Sequence, residues 1–226
     1  MKAVILAAGK GTRMLPLTAT TPKPLIPVAG KPFLGWLLER LKAAGFTEYI
    51  FVVGHLKEQI IEYVHKQGLT AEFIHQKEQK GTGHALLQCK EHIKGEFILL
   101  GADNLWDTND LKSLAASDNW AILATEVDDP SKYGILKTKE DFLSEIIEKP
   151  VHSSSNLANT GAYKLSEEIF PLLDSLTPSP RGEIELTDAI TQYTKTKKVQ
   201  VIKITNWLDL GSLKDLEKID AILTKE

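Results

Sequence analysis

Leu6-Ala7-Ala8-Gly9-Lys10-Gly11-Thr12-Arg13-Met14, which continues the apolar run begun at Lys2, decides the fold class of this chain. An apolar stretch of strand length that breaks into small residues places a loop at the end of a strand, and glycines there let backbone N–H groups approach a phosphate closely. Arg13, and Lys23 in the following Pro22-Lys23-Pro24-Leu25, supply fixed positive charge. The physical reading is a polyphosphate cradle built from Leu6, Ala7, Ala8, Gly9, Gly11 and Thr12. Two other phosphate loops fail on spacing. A dinucleotide fingerprint needs a third glycine where Met14 stands and an acid after the second strand, where this chain has Gly54 and His55. A P-loop needs a glycine at Val4, five positions before Gly9.

Outward from this loop, short apolar runs alternate with amphipathic ones, the pattern of βαβ units feeding a mostly parallel sheet flanked by helices. Strands are expected at Lys2 to Ala7, Tyr49 to Val53, Ala71 to Ile74, Phe97 to Leu100 and Trp120 to Thr125. Phe33, Leu37 and Leu41 repeat every fourth residue, as do Leu56, Ile60 and Val64, giving each helix one apolar stripe for the sheet. Further strands are expected at Gly134 to Lys137, Ser144 to Ile147, Asn159 to Leu165 and Val199 to Ile204, with helices near Glu167 to Leu176 and Glu183 to Thr194. Ser212, with Asp215 three residues on, predicts a variant capping box for a last helix. Residues 1–226 read as one domain, with a nucleotide half at about 1–128 and a second half at about 129–226.

Composition is that of an ordinary globular chain: 226 residues, 42% hydrophobic and 25% charged, enough to bury roughly 70% of the unfolded surface. Lys and Arg number 27 against 30 Asp and Glu, so no basic excess exists for a nucleic-acid backbone. Cys89 is the only cysteine and has no disulfide partner, which fits a reducing compartment. With Leu86 and Ile93 it shares a helical face, a core position rather than a nucleophile. The N-terminal apolar run is too short for a membrane helix and lacks a signal-peptide cleavage site, so the expected location is cytoplasmic, with no membrane partner. Six histidines show no zinc spacing.

The run from Leu6 to Val28 strongly resembles the signature of the sugar-1-phosphate nucleotidylyltransferases, the nucleoside-diphosphate-sugar pyrophosphorylases, and nearly the whole chain can be laid on that family's pattern. The resemblance implies a Rossmann-like mixed α/β fold and an enzyme that joins a nucleoside triphosphate to a sugar 1-phosphate and releases pyrophosphate. It also implies that the chain leaves no room after its last helix for the left-handed β-helix acetyltransferase of longer relatives.

Phe97 to Ala102 is an apolar run ending at Asp103-Asn104, which sets a carboxylate at the edge where open α/β sheets bind ligands, and Mg²⁺ favours such oxygen ligands completed by phosphate and water. Asp209, in Trp207-Leu208-Asp209-Leu210-Gly211, matches the family aspartate that joins the first on the metal. Gln76 and Gly81-Thr82 have the spacing of the uracil or thymine reader: an amide offers a donor and an acceptor to a pyrimidine edge, and the glycine lets the base lie on backbone. Tyr133-Gly134, Glu148-Lys149-Pro150 and Asn159-Thr160-Gly161 match the family's sugar-side motifs. On that match Glu148 accepts from sugar hydroxyls, Lys149 contacts the sugar phosphate, and Gly134, Asn159, Thr160 and Gly161 line the sugar. Pro150 should hold Lys149 extended, projecting it away from Glu148.

One departure is Ala102, where the family usually has glycine before the first aspartate. Choline-phosphate cytidylyltransferases can carry Ala-Asp-Asn, so a cytidylyltransferase acting on phosphocholine or a similar alcohol phosphate is a second reading. A catalytically silent nucleotide-binding regulatory subunit is a third. The sequence leaves the sugar, the choice of UTP or dTTP, and the oligomeric state open.

Overall fold

Strands in which almost every residue is apolar need cover on both faces, and the computed structural model, which describes residues 1–225, supplies it. In chain order the elements are β1 (Lys2–Ala7), β2 (Pro27–Val28), β3 (Lys31–Pro32), α1 (Phe33–Ala43), β4 (Glu48–Val53), α2 (Lys57–Lys66), β5 (Ala71–His75), α3 (Thr82–Leu87), β6 (Glu96–Gly101) and β7 (Asn104–Trp106). There follow α4 (Thr108–Ala116), β8 (Trp120–Glu126), β9 (Gly134–Lys139), β10 (Phe142–Glu148), β11 (Leu157–Ser166), α5 (Ile169–Ser175), α6 (Leu186–Tyr193), β12 (Val199–Lys203), β13 (Trp207–Asp209) and α7 (Leu213–Leu223).

Strand alternation sorts the core into two layers. Ala3, Ile5 and Ala7 of β1 pack with Phe33, Leu37 and Leu41 of α1, Ile60 and Val64 of α2, Leu111 of α4 and Ile219 of α7 on one face. Val4 turns to the other, with Leu86 of α3, Phe170 and Leu173 of α5 and Leu186 of α6. The result is a three-layer α/β/α sandwich. Cys89 is buried in the second layer with Leu86 and Ile93, in the turn after α3, and burial pushes its thiol up to about 12.

One nine-stranded sheet runs β5–β4–β1–β6–β11–β8–β12–β10–β9 through both halves of the chain. The mostly parallel sheet expected from the sequence holds for β5–β4–β1–β6 and for β8–β12, whereas β11 enters antiparallel between β6 and β8, and β9 pairs antiparallel with β10. Strands joined by short turns, as β9 and β10 are, can only return antiparallel. Two short ladders stand apart from the sheet, β2–β3 and β7–β13.

Two local expectations are corrected. Helix α6 begins at Leu186, not Glu183, because Ile184 is held extended: its N–H donates to Lys80 O (2.8 Å) and its carbonyl accepts from Gly83 N (2.9 Å). Ser212 stands at the N-cap position of α7 but makes no side-chain capping bond: its hydroxyl donates to the Asp215 carboxylate (2.6 Å), the stronger acceptor, so the expected capping box does not form.

Candidate active site

The loop after β1 is shaped by Gly11. At φ +62° it sits in the left-handed region, and a Cβ there would come within 2.9 Å of Thr18 Cγ2 and 3.2 Å of Lys23 Cβ. Thr18 Oγ1 donates to Gly11 O (2.9 Å), while Gln59 of α2 donates to Thr20 O (2.8 Å) and buttresses the loop from outside. These ties deliver Lys23, 9% exposed, to the sheet edge, where its Nζ meets Asp103 Oδ2 at 2.6 Å.

Both Asp103 oxygens are held. Oδ1 accepts from Asn104 Nδ2 (2.9 Å), and Trp207 Nε1 donates to Asn104 Oδ1 (2.8 Å), which fixes which end of that amide faces the carboxylate. The β7–β13 ladder sets Asp209 opposite Asn104, and Leu210 N donates to Asp103 O (2.9 Å). Burial alone works to raise the Asp103 carboxyl, but the Lys23 ammonium beside it, helped by Arg13, outweighs burial and holds it below the usual carboxylate range. At Asp209 the same Lys23 and Arg13 pull downward but do not prevail: burial, then the Asp103 charge, push it up to about 6. Two neighbouring carboxylates under strain from one another suit a hard divalent cation. Among the described residues no group of three or more His, Cys, Asp or Glu is placed to hold one, so substrate and water oxygens would have to complete such a shell.

Gln76 is 3% exposed, not a solvated surface amide. Its Nε2 donates to Gly81 O (3.3 Å) and lies 3.0 Å from His84 Nδ1. Gly81 has φ +96°, and a Cβ on it would lie 2.7 Å from Ile184 O, so the extended segment before α6 clamps this turn.

On the sugar side the structure revises several expectations. Asn159 bonds within its own strand: Oδ1 accepts from Gly161 N (2.9 Å) and Nδ2 donates to Tyr163 Oη (2.5 Å), across the register shift between Asn159 and Tyr163. Asn159-Thr160-Gly161 is thus a bulge that turns Gly161, at φ +79°, to the cavity. Thr160 is not brought there. Its hydroxyl, 1% exposed, donates to Leu123 O (2.8 Å) and accepts from Trp106 Nε1 (3.0 Å). Thr160→Val leaves a buried acceptor and a buried donor unpaired and should lower stability by about 2 kcal/mol in urea unfolding.

Gly134 leaves room for Glu148, since a Cβ on it would lie 3.1 Å from Glu148 Oε1. Glu148 accepts from Thr187 Oγ1 (3.0 Å), and burial raises its carboxyl above the usual range. Lys149 is exposed and has φ +44°, contrary to the extended backbone expected before Pro150: its N–H donates to Tyr133 O (3.0 Å), which takes the chain out of β10 through a left-handed residue.

A cavity of about 550 Å³ unites the loop and the carboxylate edge. Leu6, Ala7, Ala8, Gly9, Gly11, Thr12, Arg13, Lys23, Gln76, Gly81, Thr82, Asp103 and Gly161 all line it. Gln79, Asn104, Tyr163, Glu183, Leu186 and Gly211 line it too, without having been singled out from the sequence. The model of the nucleotidyl transferase family matches residues 2–226. The chain belongs to this family. It is 39% identical over 219 residues to a bifunctional protein GlmU of Methanococcus aeolicus, covering 96% of this chain and 53% of that protein, so it spans about half the length of the curated relatives it matches first. It is 38% identical to the UTP–glucose-1-phosphate uridylyltransferase AglF of Haloferax volcanii, covering 100% of this chain and 98% of that one. A solved UDP-glucose pyrophosphorylase bound to UDP-glucose superimposes with a TM-score of 0.89 at 28% identity, over 99% and 98% of the two chains.

A signal that could have revealed two of the missed cavity residues, Glu183 and Leu186, is the dense Arg181-Gly182-Glu183-Ile184-Glu185-Leu186-Thr187-Asp188 run. It alternates acids with apolar residues just before a helix. Glu183 and Leu186 reach the cavity, Thr187 holds Glu148, and Glu185 accepts from Arg181 Nη2 (2.8 Å). No helix among the described residues is long and apolar enough to cross a membrane.

Proposed function

We propose that this chain transfers a nucleotidyl group from UTP or dTTP to a sugar 1-phosphate, glucose 1-phosphate or N-acetylglucosamine 1-phosphate, and releases pyrophosphate. The observation that carries the reading is one cavity that joins a glycine loop, a lysine-backed carboxylate edge and a buried amide. Residues 1–226 act as one unit, with the base turn of the first half clamped by Ile184 of the second. The reaction runs inside the cell and needs neither nucleic acid nor membrane.

Catalysis is positioning and charge neutralisation. Glycine-loop N–H groups and Arg13 hold the β- and γ-phosphates, and Lys23 exchanges its ion pair with Asp103 for a phosphate as the nucleotide enters. Asp103 and Asp209 would hold Mg²⁺, which when bound neutralises charge on the transferring phosphoryl group. A sugar phosphate is largely dianionic at pH 7 and attacks the α-phosphorus in line without a general base. Glu148, Gly161 and Lys149 orient that acceptor.

A pyrophosphate-release screen of the nucleoside triphosphates against sugar phosphates and phosphocholine tests this reading. Release with UTP or dTTP and a sugar 1-phosphate is expected. Release confined to CTP with phosphocholine would overturn the substrate class, and nucleotide binding without release would leave a silent binding module. Gln76→Ala should narrow the preference for UTP or dTTP over the purine nucleotides by about 1–3 kcal/mol, read as a ratio of kcat/KM values.

A further inference from the structure

Gln76 can serve a base only if its amide is turned one particular way, and the fold contains a device that turns it. Gly81 O has no hydrogen to give, so the Gln76 atom 3.3 Å from it must be the NH₂. The second hydrogen of that NH₂ faces His84 Nδ1 at 3.0 Å. A neutral imidazole has one N–H and one lone pair, so Nδ1 must hold the lone pair and Nε2 the proton. Nε2 lies 3.4 Å from Gln88 Nε2, an NH₂ that already donates to the His84 carbonyl (3.1 Å), so the shorter contact of Nδ1 with Gln76 decides the tautomer. With both amide hydrogens engaged, Gln76 Oε1 is the atom left for the cavity that Gln76 lines.

We infer that His84 is a positioning residue that commits Gln76 Oε1 to the base site and thereby selects a base edge bearing a ring N–H. This deepens the uridylyl or thymidylyl reading above and rests on it. Uracil and thymine carry a proton on N3 that an oxygen acceptor can take. Cytosine carries a lone pair on N3, which would face the lone pairs of Oε1. Without His84 the NH₂ keeps only its bond to Gly81 O, and the amide can rotate to suit either base. The site then stops distinguishing them. His84 touches neither nucleotide nor reacting phosphate in this role.

Steady-state kinetics with UTP and CTP on the intact protein, on His84→Leu and on His84→Asn read the effect. Asn Oδ1 can stand where Nδ1 stood and accept the same hydrogen. The expected result is a roughly ten- to hundredfold fall in the UTP-to-CTP ratio of kcat/KM for His84→Leu. It should be carried mainly by KM for UTP, with KM for the sugar phosphate unchanged and the ratio largely restored in His84→Asn. A fall that is equal for both nucleotides, or no fall, overturns the role of His84 while leaving the uridylyl reading intact. Wild-type protein that prefers CTP overturns that reading and the inference with it. A second measurement does not depend on how the leucine variant folds: ¹⁵N-histidine spectra of the wild-type protein, with His84 assigned by its loss in His84→Asn. They should show Nε2–H and a bare Nδ1 at pH 7.5, and an Nδ1–H tautomer overturns the inference.

Discussion

Asp103→Asn is expected to lower turnover by roughly a hundredfold or more while the protein stays folded but melts earlier than the parent. The first effect follows from removing one of the two carboxylates proposed to hold a divalent cation. The second follows from Lys23, whose side chain is only 10% exposed and lies 2.6 Å from Asp103 Oδ2. Asparagine can still accept a hydrogen bond from that ammonium but cannot neutralise it, and a charge left without its counter-charge in a mostly enclosed place is costly. Single-turnover rates at saturating Mg²⁺, alongside thermal melts in chelator, measure both. Near-normal turnover would remove Asp103 from the chemistry.

Asp209→Asn should cost a similar factor in turnover and yet raise the melting temperature of the metal-free protein at pH 8. Asp209 is raised from 3.8 to about 6 by burial and by Asp103, so in the metal-free fold its ionised form is the disfavoured one. Between those two pH values the folded protein keeps a proton that the unfolded chain has released. Stability therefore falls as pH rises through this window and stays lowered above it. The asparagine variant lacks that fall. Its advantage should be fully present at pH 8, shrink as pH falls below about 6, and vanish only below 3.8, where Asp209 is protonated in the folded and unfolded chain alike. Two variants of equal inactivity and opposite melting shift would separate the cation-paired acid from the unpaired one, and a lower melting temperature for Asp209→Asn at pH 8 would contradict this account.

What the sequence disclosed follows from the range of the forces involved. The strands β1, β4 and β6 were legible because two-sided burial demands unbroken apolar runs, and Asp103 because its position after such a run is a local fact. The glycine loop was legible for the same reason, since Gly11 needs positive φ within its own turn. Illegible were features made by distant partners. Strands β7 and β13 are three residues each, with no periodicity to see, and exist because they pair with one another. Thr160 reads as a polar residue of a sugar motif until Trp106 and Leu123 are found on either side of its hydroxyl. Lys149 follows the rule for residues before proline until the Tyr133 carbonyl captures its N–H. Ile184 is apolar beside a helix and would join it, had Lys80 and Gly83 not claimed its backbone.

The β7–β13 ladder has a consequence for how the chain reaches its native state. It joins Asp103 to Asp209 across a stretch of about a hundred residues, and closing so long a loop carries an entropic cost that adjacent-strand contacts such as β9–β10 do not. During vectorial synthesis the phosphate loop and the first acid leave the ribosome well before the second. On the cation role proposed for these two acids, a nascent chain holds half of the pair until β13 docks, and cation affinity would then arise as one of the last steps of maturation and report that the C-terminal part has joined the rest.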